Sequence, residues 1–308
     1  MTNKLLGPTS ALGRAMELQI HRPWKILHQA DWIAALLSGR FDVSDENNAL
    51  KTGYDPIARR WPDWIAACGM DPRLLPSVVP VGARIGACRT AFAHDLGLPA
   101  GAIVVAGTTD GCAAFLATGA REPGEGVTSL GSTLVLKLMS ARPVFAPEFG
   151  VYSHRIGDAW LAGGASNTGG AALQQFFTPE RIAALEPRLR PDQPTGLDYY
   201  PLPAKGERFP VSDADFAPRV TPRPADDAIF LQGLLEGIAE VEALGYRRLM
   251  ETGAPRLVSL RTVGGGAGNS AWSRIRANTL GVELKPARSE AAAAGVARLA
   301  LQAMAERP

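Results

Sequence analysis

Four glycine-rich turns are the segments of this 308-residue sequence whose residue types could hold a ligand. Three of them, GTTDG (107–111), SLGST (129–133) and VGGGAGN (263–269), follow apolar runs that predict strands. The fourth, GGASNTGGAA (163–172), joins a predicted strand to a predicted helix. Glycine lets the backbone approach a ligand closely, and amides at such turns can hold phosphate. Tight turning alone explains any one motif. Four at strand ends in one chain are harder to explain that way, although they do not identify a nucleotide.

The two best-known nucleotide motifs are absent from these turns. None of the four matches the GxxxxGK[ST] loop of P-loop proteins. None is a GxGxxG turn in a βαβ unit with an acidic residue about 20 positions later, which a Rossmann dinucleotide site requires. A nucleotide site in this chain must therefore be of another type.

Asp110 ends the apolar run 102–109 and precedes a glycine. One interpretation is a helix N-cap, because aspartate caps well and the small helix formers of 112–120 follow it. The other is a general base, or a carboxylate linked to magnesium, that points into a cleft. The local sequence favours neither interpretation over the other.

The composition is that of a soluble globular protein. Hydrophobic residues make up 46% of the sequence and charged residues 20%, which excludes wholesale disorder. The 32 basic and 30 acidic residues are mixed along the chain, so neither a nucleic acid nor a membrane surface is an expected partner. A chain of this length predicts two domains.

The cysteines and the N-terminal sequence bear on the cellular compartment. Cys68, Cys88 and Cys112 form no CxxC pair and do not cluster with the four histidines, so reduced thiols are expected. The sequence does not open on the apolar core of a signal peptide, and it has no run of about 18 apolar residues. A cytoplasmic location without a membrane span is the expectation.

Hydrophobic periodicity predicts alternating helices and strands. Helices are predicted over 9–19, 24–38, 86–96, 168–177, 225–253 and 288–306, and directly after Asp110. Strands are predicted over 102–109 and 127–138, as a pair around the turn 157–158 within 150–166, and at the start of 257–269. The segment 41–55 predicts one short strand, 74–82 an extended connection, and 187–224 an irregular surface excursion. Strands followed by crossing helices indicate α/β architecture with mixed sheets.

Longer blocks around these turns resemble one family of enzymes. VVAGTTDGCAAFLATGA (104–120) with GVTSLGSTLVLK (126–137) resembles the catalytic-aspartate and phosphate-loop region of the FGGY carbohydrate kinases. RTVGGGAGNSAWSRIRANTLGVEL (261–284) resembles the adenosine motif of that family, and SDENNALKTGYD (44–55) is similar to its pattern after a first-domain helix pair. The order and spacing of the blocks match, and the resemblance covers essentially the whole chain. Four blocks are most similar to the cyanobacterial and plant-plastid D-ribulose kinases: GVYSHR, GGASNTGGA, PTGLDYYPL and GERFP.

The resemblance implies a role for each matching residue. Asp110 corresponds to the base that takes the proton from the attacking sugar hydroxyl; it would contact magnesium through water, and Thr109 beside it would contact the sugar. Nucleotide contacts are implied in three places. At the phosphates they are Gly131, Ser132 and Thr133, and on the helix after the hairpin they are Gly170 and Gln174. At adenine and ribose they are Gly265, Gly266, Ala267 and Asn269, with Ser270 as the alternative to Asn269. The implied cofactors are ATP and Mg²⁺.

The resemblance has one gap. Family members open with a DxGT hairpin that binds phosphate and helps to place magnesium, and no DxGT occurs here before residue 100. The resemblance therefore implies that the front part of a full-length kinase is missing from this sequence. The implied fold is the α/β actin/hexokinase-like ATPase (ribonuclease H-like) fold, with an incomplete first, sugar-binding domain over 1–122 and a complete nucleotide-binding domain over 123–308.

The implied function is ATP-dependent phosphorylation of a sugar hydroxyl, with a ketopentose such as D-ribulose as the expected acceptor. D-xylulose or another sugar is the alternative substrate. A different alternative is a non-catalytic remnant, or one subunit of a split kinase that only binds nucleotide. The expected partners are the sugar and ATP, with a second copy in a homodimer or a separately encoded N-terminal kinase fragment as the candidate protein partners.

Two sets of polar residues near the N-terminus have competing interpretations. His28, Asp31 and Trp32 lie on a predicted helix, where packing or surface roles outweigh sugar contact. Asp45 and the pair 47–48 could face a cleft, but Asx-turn chemistry explains them as easily.

Three further residues have structural interpretations. His154 lies on a predicted strand and predicts a structural hydrogen bond. Trp160 and Trp272 predict core positions rather than substrate platforms.

Overall fold

The computed structural model describes residues 10–305, which form two compact units. The first unit consists of the residues up to Ala117, the segment His154–Asp158, and the residues from Ala291 onward. The second unit consists of two segments, Thr118–Ser153 and Ala159–Glu290.

Some predictions reach beyond the described residues. Thr9 and Glu306, the outer ends of two predicted helices, lie outside them, as do the two termini of the predicted domains. The division into domains over 1–122 and 123–308 stays a prediction. Within the described part of the chain, no helix has both the length and the apolar character needed to cross a bilayer.

The first unit begins with short helices and short strands in alternation. Its elements up to the second unit are α1 (Ala11–Leu18), α2 (Gln29–Ser38), β1 (Val43–Asp45), α3 (Glu46–Thr52), α4 (Trp64–Ala67), β2 (Ser77–Val79), β3 (Arg84–Ala87), α5 (Thr90–Asp95), β4 (Ile103–Val105) and α6 (Asp110–Thr118). Strands β1 and β2 pair in parallel, and β3 and β4 pair antiparallel. Single 3₁₀ turns cover Gln19–His21 and Pro72–Leu74.

Helix α2 begins later than the predicted start at residue 24. The backbone N–H of Ile26 donates to the carbonyl of Leu74 at 2.8 Å, so this segment bonds to another part of the chain instead of continuing a helix. The helix starts after His28, whose N–H donates to Asp31 Oδ2 at 3.1 Å. A carboxylate three residues into a helix that accepts from the capping residue fixes the start of the first turn.

Helix α3 was not predicted, because 41–55 indicated only one short strand. Asp45 caps the helix by accepting from the N–H groups of Asn47 at 2.9 Å and Asn48 at 3.0 Å. The residues that α3 buries include Glu46, Asn47 and Asn48, so no apolar face marks the helix in the sequence.

The predicted helix over 86–96 is shorter in the structure. Its first residues belong to β3, where Ala87 pairs with Ile103 of β4. The N–H of Cys88 extends this pairing by donating to the carbonyl of Ala102 at 2.6 Å, and α5 starts only at Thr90. Cys68, Cys88 and Cys112 are free thiols.

The second unit contains the larger sheet and a long helix. Its elements are β5 (Glu125–Leu130), β6 (Leu134–Ser140), β8 (Ala159–Ser166), α7 (Gly170–Leu173), α8 (Pro179–Leu185), α9 (Asp227–Glu251), β9 (Ser259–Val263), α10 (Ser270–Leu280) and β10 (Glu283–Leu284). Strand β7 (Tyr152–Ile156) begins in this unit, and its residues from His154 onward belong to the first unit. The chain then returns to the first unit in α11 (Ala292–Ala305). Single 3₁₀ turns cover Pro147–Phe149, Glu186–Arg188 and Gly265–Gly268. The strand order is β10-β9-β5-β6-β8-β7.

The prediction of one strand over 127–138 was wrong. The segment is a hairpin in which β5 and β6 pair antiparallel, and Leu130 faces Leu134 across the turn formed by residues 131–133. In the sequence, the Gly131-Ser132 pair indicated a local break within one strand. In the structure, the pair lies in the turn that reverses the chain between β5 and β6. Apolar residues alternate on both sides of the turn, so periodicity alone does not distinguish these two structures.

Three loops leave the larger sheet at the same edge. Strands β5 and β9 are parallel, with Ser129 opposite Val263 at their C-terminal ends. Strand β8 runs antiparallel to β6, and its last residue, Ser166, faces Leu134 at the start of β6. The C-terminal ends of β5, β8 and β9 therefore lie together. Because the carboxyl edge of parallel strands is where open α/β sheets bind ligands, this edge is the first place to look for a site.

The excursion 187–224 is irregular, as predicted, but it is not confined to the surface. Tyr199, Tyr200, Leu202 and Phe209 are buried and belong to the main core of the second unit, together with the inner face of α9. Glu207, also buried, accepts hydrogen bonds from the segment that follows β8. The excursion thus supplies core residues and supports one of the three loops.

Candidate functional site

The three loops at this edge enclose a cavity of about 390 Å³ within the second unit. Its lining comes from the β5–β6 turn, the start of α7, the turn after β9 and the start of α10, with apolar residues from α8 and α9. The lining residues are Leu130, Gly131, Ser132, Gly170, Leu173, Gln174, Pro179, Ile182, Leu235, Gly265, Gly266, Asn269 and Trp272.

Most of the residues predicted to contact nucleotide meet in this one cavity. Seven of the nine line it: Gly131, Ser132, Gly170, Gln174, Gly265, Gly266 and Asn269. Thr133 and Ala267 are not in the lining. Thr133 accepts from the N–H of Gly131 at 3.2 Å, and Ala267 donates its N–H to Gly264 at 2.9 Å, so both shape the turns behind the wall.

The β5–β6 turn and the start of α7 are bonded to each other. The N–H of Gly170 donates to the carbonyl of Gly131 at 2.8 Å, and the N–H of Ala171 donates to the carbonyl of Ser132 at 3.1 Å. A Cβ atom on Gly170 would lie 2.9 Å from the same Gly131 oxygen. Only glycine allows this approach, so the two loops form a single backbone wall.

The turn after β9 approaches β5 just as closely. Gly264 has φ +92°, and a Cβ atom there would lie 2.9 Å from the carbonyl oxygen of Leu130. A positive φ and a close backbone contact both require glycine. The two residues that follow, Gly265 and Gly266, line the cavity together with Gly131.

Part of the lining is apolar, and the sequence did not identify it. Leu173, Ile182, Leu235 and Trp272 belong to this part, and none of the lining residues is charged. Trp272 is buried, as a core tryptophan should be, but it also lines the cavity. Its Nε1–H has no hydrogen-bond partner. Helical spacing could have identified Trp272 as a lining residue, since it lies three residues after the predicted contact Asn269 at the start of α10.

The two candidate adenine contacts are already engaged in the protein. Asn269 Oδ1 accepts from the N–H of Trp272 at 2.7 Å and so caps α10. Ser270 donates its hydroxyl to Glu186 Oε1 at 2.9 Å, and its N–H donates to the same oxygen at 2.8 Å. Because Ser270 is held by Glu186 and does not line the cavity, Asn269 is the better placed of the two.

Asp110 lies in the first unit and is the first residue of α6, not its cap. The carbonyl of Thr109 accepts the first helical hydrogen bond, from Ala113 at 2.9 Å, so Thr109 occupies the N-cap position. The Asp110 side chain is exposed, and its Oδ1 accepts from the N–H of Gly111 at 2.7 Å. Thr109 itself is buried.

The segment before Asp110 is held by Asn47, which is fully buried. Asn47 Nδ2 donates to Thr108 Oγ1 at 2.9 Å and to the carbonyl of Arg155 at 2.9 Å, while its Oδ1 accepts from the N–H of Arg155 at 3.0 Å. Its neighbours Asp45 and Asn48 bond to each other at 2.6 Å in the cap of α3. All three residues therefore have structural partners, and Asn47 supports the backbone two residues before Asp110.

His28 and Asp31 also have protein partners. His28 Nε2 lies 2.9 Å from Thr52 Oγ1, and burial, followed by the charge of Lys51, lowers its pKa. Burial raises the pKa of the Asp31 carboxyl to about 7, with the nearby carboxylate of Asp45 adding to the effect. Trp32 is half exposed. These contacts fit packing and surface roles for the three residues.

His154 and Trp160 are both buried. Trp160 makes an edge-to-face contact with Phe145, with ring centroids 6.5 Å apart. Its position in the core agrees with the structural interpretation.

Two family models together match nearly the whole described chain. The model for the N-terminal domain of the FGGY family of carbohydrate kinases matches residues 14–117, and the model for its C-terminal domain matches 126–304. The chain belongs to the FGGY family of carbohydrate kinases. The family predicted from the glycine turns and the Asp110 block is thus confirmed.

Individual FGGY relatives align over nearly all of this chain. An autoinducer-2 kinase of Yersinia enterocolitica serotype O:8 / biotype 1B is 28% identical over 94% of this chain and 60% of its own length. A xyloylose kinase from Brucella ovis has a TM-score of 0.85 and 26% identity, covering 96% of this chain and 64% of that one. A Plasmodium falciparum glycerol kinase with ADP has a TM-score of 0.82 and 15% identity, covering 96% and 63%.

These likenesses confirm the predicted α/β actin/hexokinase-like fold. This chain spans about 60% of the length of the curated relatives that it matches. Whether its first domain is incomplete and its second complete stays a prediction.

The side chains of residues 10–305 include no group of three or more histidines, cysteines, aspartates or glutamates arranged to hold a metal ion. A magnesium ion bound with a nucleotide needs less, since it keeps several waters and takes one or two carboxylates besides the phosphates. The exposed carboxylate of Asp110 is a donor of that kind.

Proposed function

We propose that this chain supplies the nucleotide site and the general base of an ATP-dependent sugar kinase. The observation that carries the proposal is the cavity in the second unit, because seven residues predicted from separate motifs line it together. The glycine turns in the lining offer backbone amides to phosphates, and the apolar residues in the lining fit a purine ring.

Magnesium is part of the proposal because of what the lining contains. None of the cavity residues is charged, so the protein wall cannot neutralise the phosphates by itself. When bound with ATP, Mg²⁺ would supply that positive charge. In this proposal the ion reaches the protein at Asp110, through water.

Asp110 acts as the general base. Its exposed carboxylate takes the proton of the sugar hydroxyl as that oxygen forms a bond to the γ-phosphorus of ATP and the bond to the bridging oxygen of ADP breaks. The products are the sugar phosphate, ADP and one proton, which the carboxylate releases to solvent. Thr109 caps α6 and so fixes the direction of the helix from which Asp110 projects.

The acceptor proposed is a ketopentose such as D-ribulose, on the similarity of four sequence blocks to the D-ribulose kinase branch. D-xylulose is the second candidate, because the solved relatives include a xylulose kinase from Lactobacillus acidophilus, with a TM-score of 0.83 and 17% identity. Binding of nucleotide without catalysis is the alternative from another class, since the chain spans only part of its relatives.

A sugar panel tests the function directly. ADP release is measured with ATP and Mg²⁺ against D-ribulose, D-xylulose, autoinducer-2 and glycerol, with and without a polypeptide carrying the rest of a family first domain. We expect weak ATP binding and little turnover by the chain alone, and the highest kcat/KM with D-ribulose in the supplemented sample. ATP binding with no acceptor-dependent release in either sample would favour the non-catalytic alternative.

Gly170→Ala tests the cavity. The new methyl group would stand 2.9 Å from the carbonyl oxygen of Gly131 and push the two loops apart. Such a clash costs about 1–3 kcal/mol, so the Kd for ATP should rise about tenfold. Isothermal titration calorimetry measures this.

Gly268→Ala is the matched control, because it lies in the same set of glycine turns and a Cβ atom there meets nothing within 4 Å. Its ATP affinity should equal that of the unmodified chain. Equal affinity in Gly170→Ala as well would mean that ATP does not bind at the β5–β6 turn.

A further inference from the structure

A buried ion pair lies beneath the cavity in the second unit. Arg276 of α10 and Glu242 of α9 are both fully buried, and two guanidinium nitrogens reach the two carboxylate oxygens at 2.6 and 2.7 Å. Burial works against the charge of Arg276, but the Glu242 carboxylate outweighs it and holds the pKa of the guanidinium above its ordinary value. The two short contacts make the pair bidentate.

Two threonine hydroxyls connect this pair to the sheet. Thr128 of β5 donates to Glu242 Oε1 at 2.5 Å, and Arg276 Nη1 donates to Thr262 Oγ1 of β9 at 2.7 Å. The two threonines face each other in the parallel pairing of β5 and β9. Tyr246 of α9 completes the group, with its hydroxyl 3.0 Å from that of Thr128.

Three members of the group are close in sequence to residues that line or shape the cavity. Thr128 precedes the lining residue Leu130 by two positions, and Thr262 precedes Gly264 by two. Arg276 follows Trp272 by four positions, one helical turn along α10. One ion pair thus joins the two neighbouring strands whose turns line the cavity and the helix that carries Trp272.

Stability alone does not account for such a pair. Removing two charges from water costs several kcal/mol per ion, and well-packed apolar residues in their place are often at least as stable. An ion pair with fixed bidentate geometry, in contrast, holds its neighbours in one arrangement.

We propose that the Arg276–Glu242 pair and its two threonines are positioning residues that hold the β5 and β9 turns at the spacing a nucleotide requires. This inference rests on the proposed function for its ligand, since ATP is the nucleotide meant. The residues do not line the cavity, so they act through Leu130, Gly264 and Trp272.

Thr128→Val and Thr262→Val test the proposal, because valine keeps the shape of threonine and removes the hydroxyl. We expect the double variant to raise the Kd for ATP by about 5- to 150-fold, the range of an ordinary coupling between sites. The single variant Thr128→Ser keeps the hydroxyl, so it should keep most of the ATP affinity of the unmodified chain. The matched control is Thr252→Val at the end of α9, which loses a hydroxyl with two hydrogen bonds but has no link to either strand.

Hydrogen exchange in the protein without nucleotide gives a second measurement. Amides of 131–133 and 264–268 should exchange faster in the double variant and not in Thr252→Val. Unchanged exchange in these turns would overturn the proposal, whether or not ATP binds. The proposal would also be overturned if Thr252→Val, at the same loss in the free energy of unfolding, lowered the ATP affinity as much as the double variant does. If the unmodified chain does not bind ATP, the proposed function fails, and the exchange result alone decides the positioning role.

Discussion

In the sample supplemented with the rest of a family first domain, Asp110→Asn is expected to lower acceptor-dependent ADP release by about 10²–10⁴-fold, the usual contribution of a general base. The asparagine Oδ1 can still accept from the N–H of Gly111, as Asp110 does at 2.7 Å, so α6 should keep its start. The site is exposed, and the change adds no volume to a core. The loss should therefore appear in kcat and not in folding.

ATP affinity separates catalysis from structure in this variant. A general base acts only in the transition state, so the Kd for ATP should stay within about twofold. Asp95→Asn, at an exposed aspartate at the end of α5, is the control and should keep full activity. Activity that survives in Asp110→Asn would remove Asp110 from the mechanism, and a lost ATP affinity would give it a structural role.

The sequence predicted the cavity better than it predicted the elements around it. Glycine at a strand end is a local signal, because the backbone geometry that it permits depends on few neighbours. This is why the turns that contain Gly131, Gly170, Gly265 and Gly266 could be recognised without knowing that β5 and β9 are parallel neighbours, while the family resemblance implied the role of each residue. The pairing itself was not predictable, since register depends on contacts between strands far apart in sequence.

The apolar half of the cavity shows the opposite case. Leu235 and Trp272 have the spacing of ordinary core residues on amphipathic helices, and both are indeed buried. Whether a core residue also borders a cavity depends on what faces it across the fold. Arg276 was not selected either, because a single arginine on a helix predicts an exposed side chain unless its buried partner is known.

Polar residues account for the elements that the sequence analysis missed. Helix α3 buries Glu46 and Asn47, so it lacks the apolar stripe by which a helix is recognised. In the same way Glu207 lies in an excursion rich in proline and glycine, which predicts exposure. Burial of polar groups depends on tertiary partners that satisfy them.

Glu207→Ala should be the most destabilising of the substitutions considered. One carboxylate oxygen of Glu207 accepts from Ser166 Oγ at 2.6 Å and from the hydroxyl of Tyr200 at 3.0 Å. The other accepts from the N–H groups of Asn167 and Arg208, both at 2.8 Å. Removing the carboxylate leaves several donors without an acceptor, at a loss of about 3–5 kcal/mol in the free energy of unfolding.

Glu207→Gln keeps one strong acceptor and the side-chain volume, so it should lose only about 1–2 kcal/mol. The control is Asp215→Ala in the same excursion, where the ion pair with Lys205 is exposed and contributes about 0–1 kcal/mol. Urea unfolding followed by circular dichroism ranks the three variants.

The loss should also reach the cavity, because Ser166 and Asn167 directly precede the turn that positions Gly170. Hydrogen exchange read by mass spectrometry should show faster exchange over 166–174 in Glu207→Ala, and the Kd for ATP should rise with it. Peptides from α1 and α5, in the first unit, serve as the internal reference and should be unchanged. If stability falls while 166–174 keeps its protection and ATP its affinity, Glu207 supports only the core around Tyr200 and Phe209. The excursion would then have no part in shaping the nucleotide cavity.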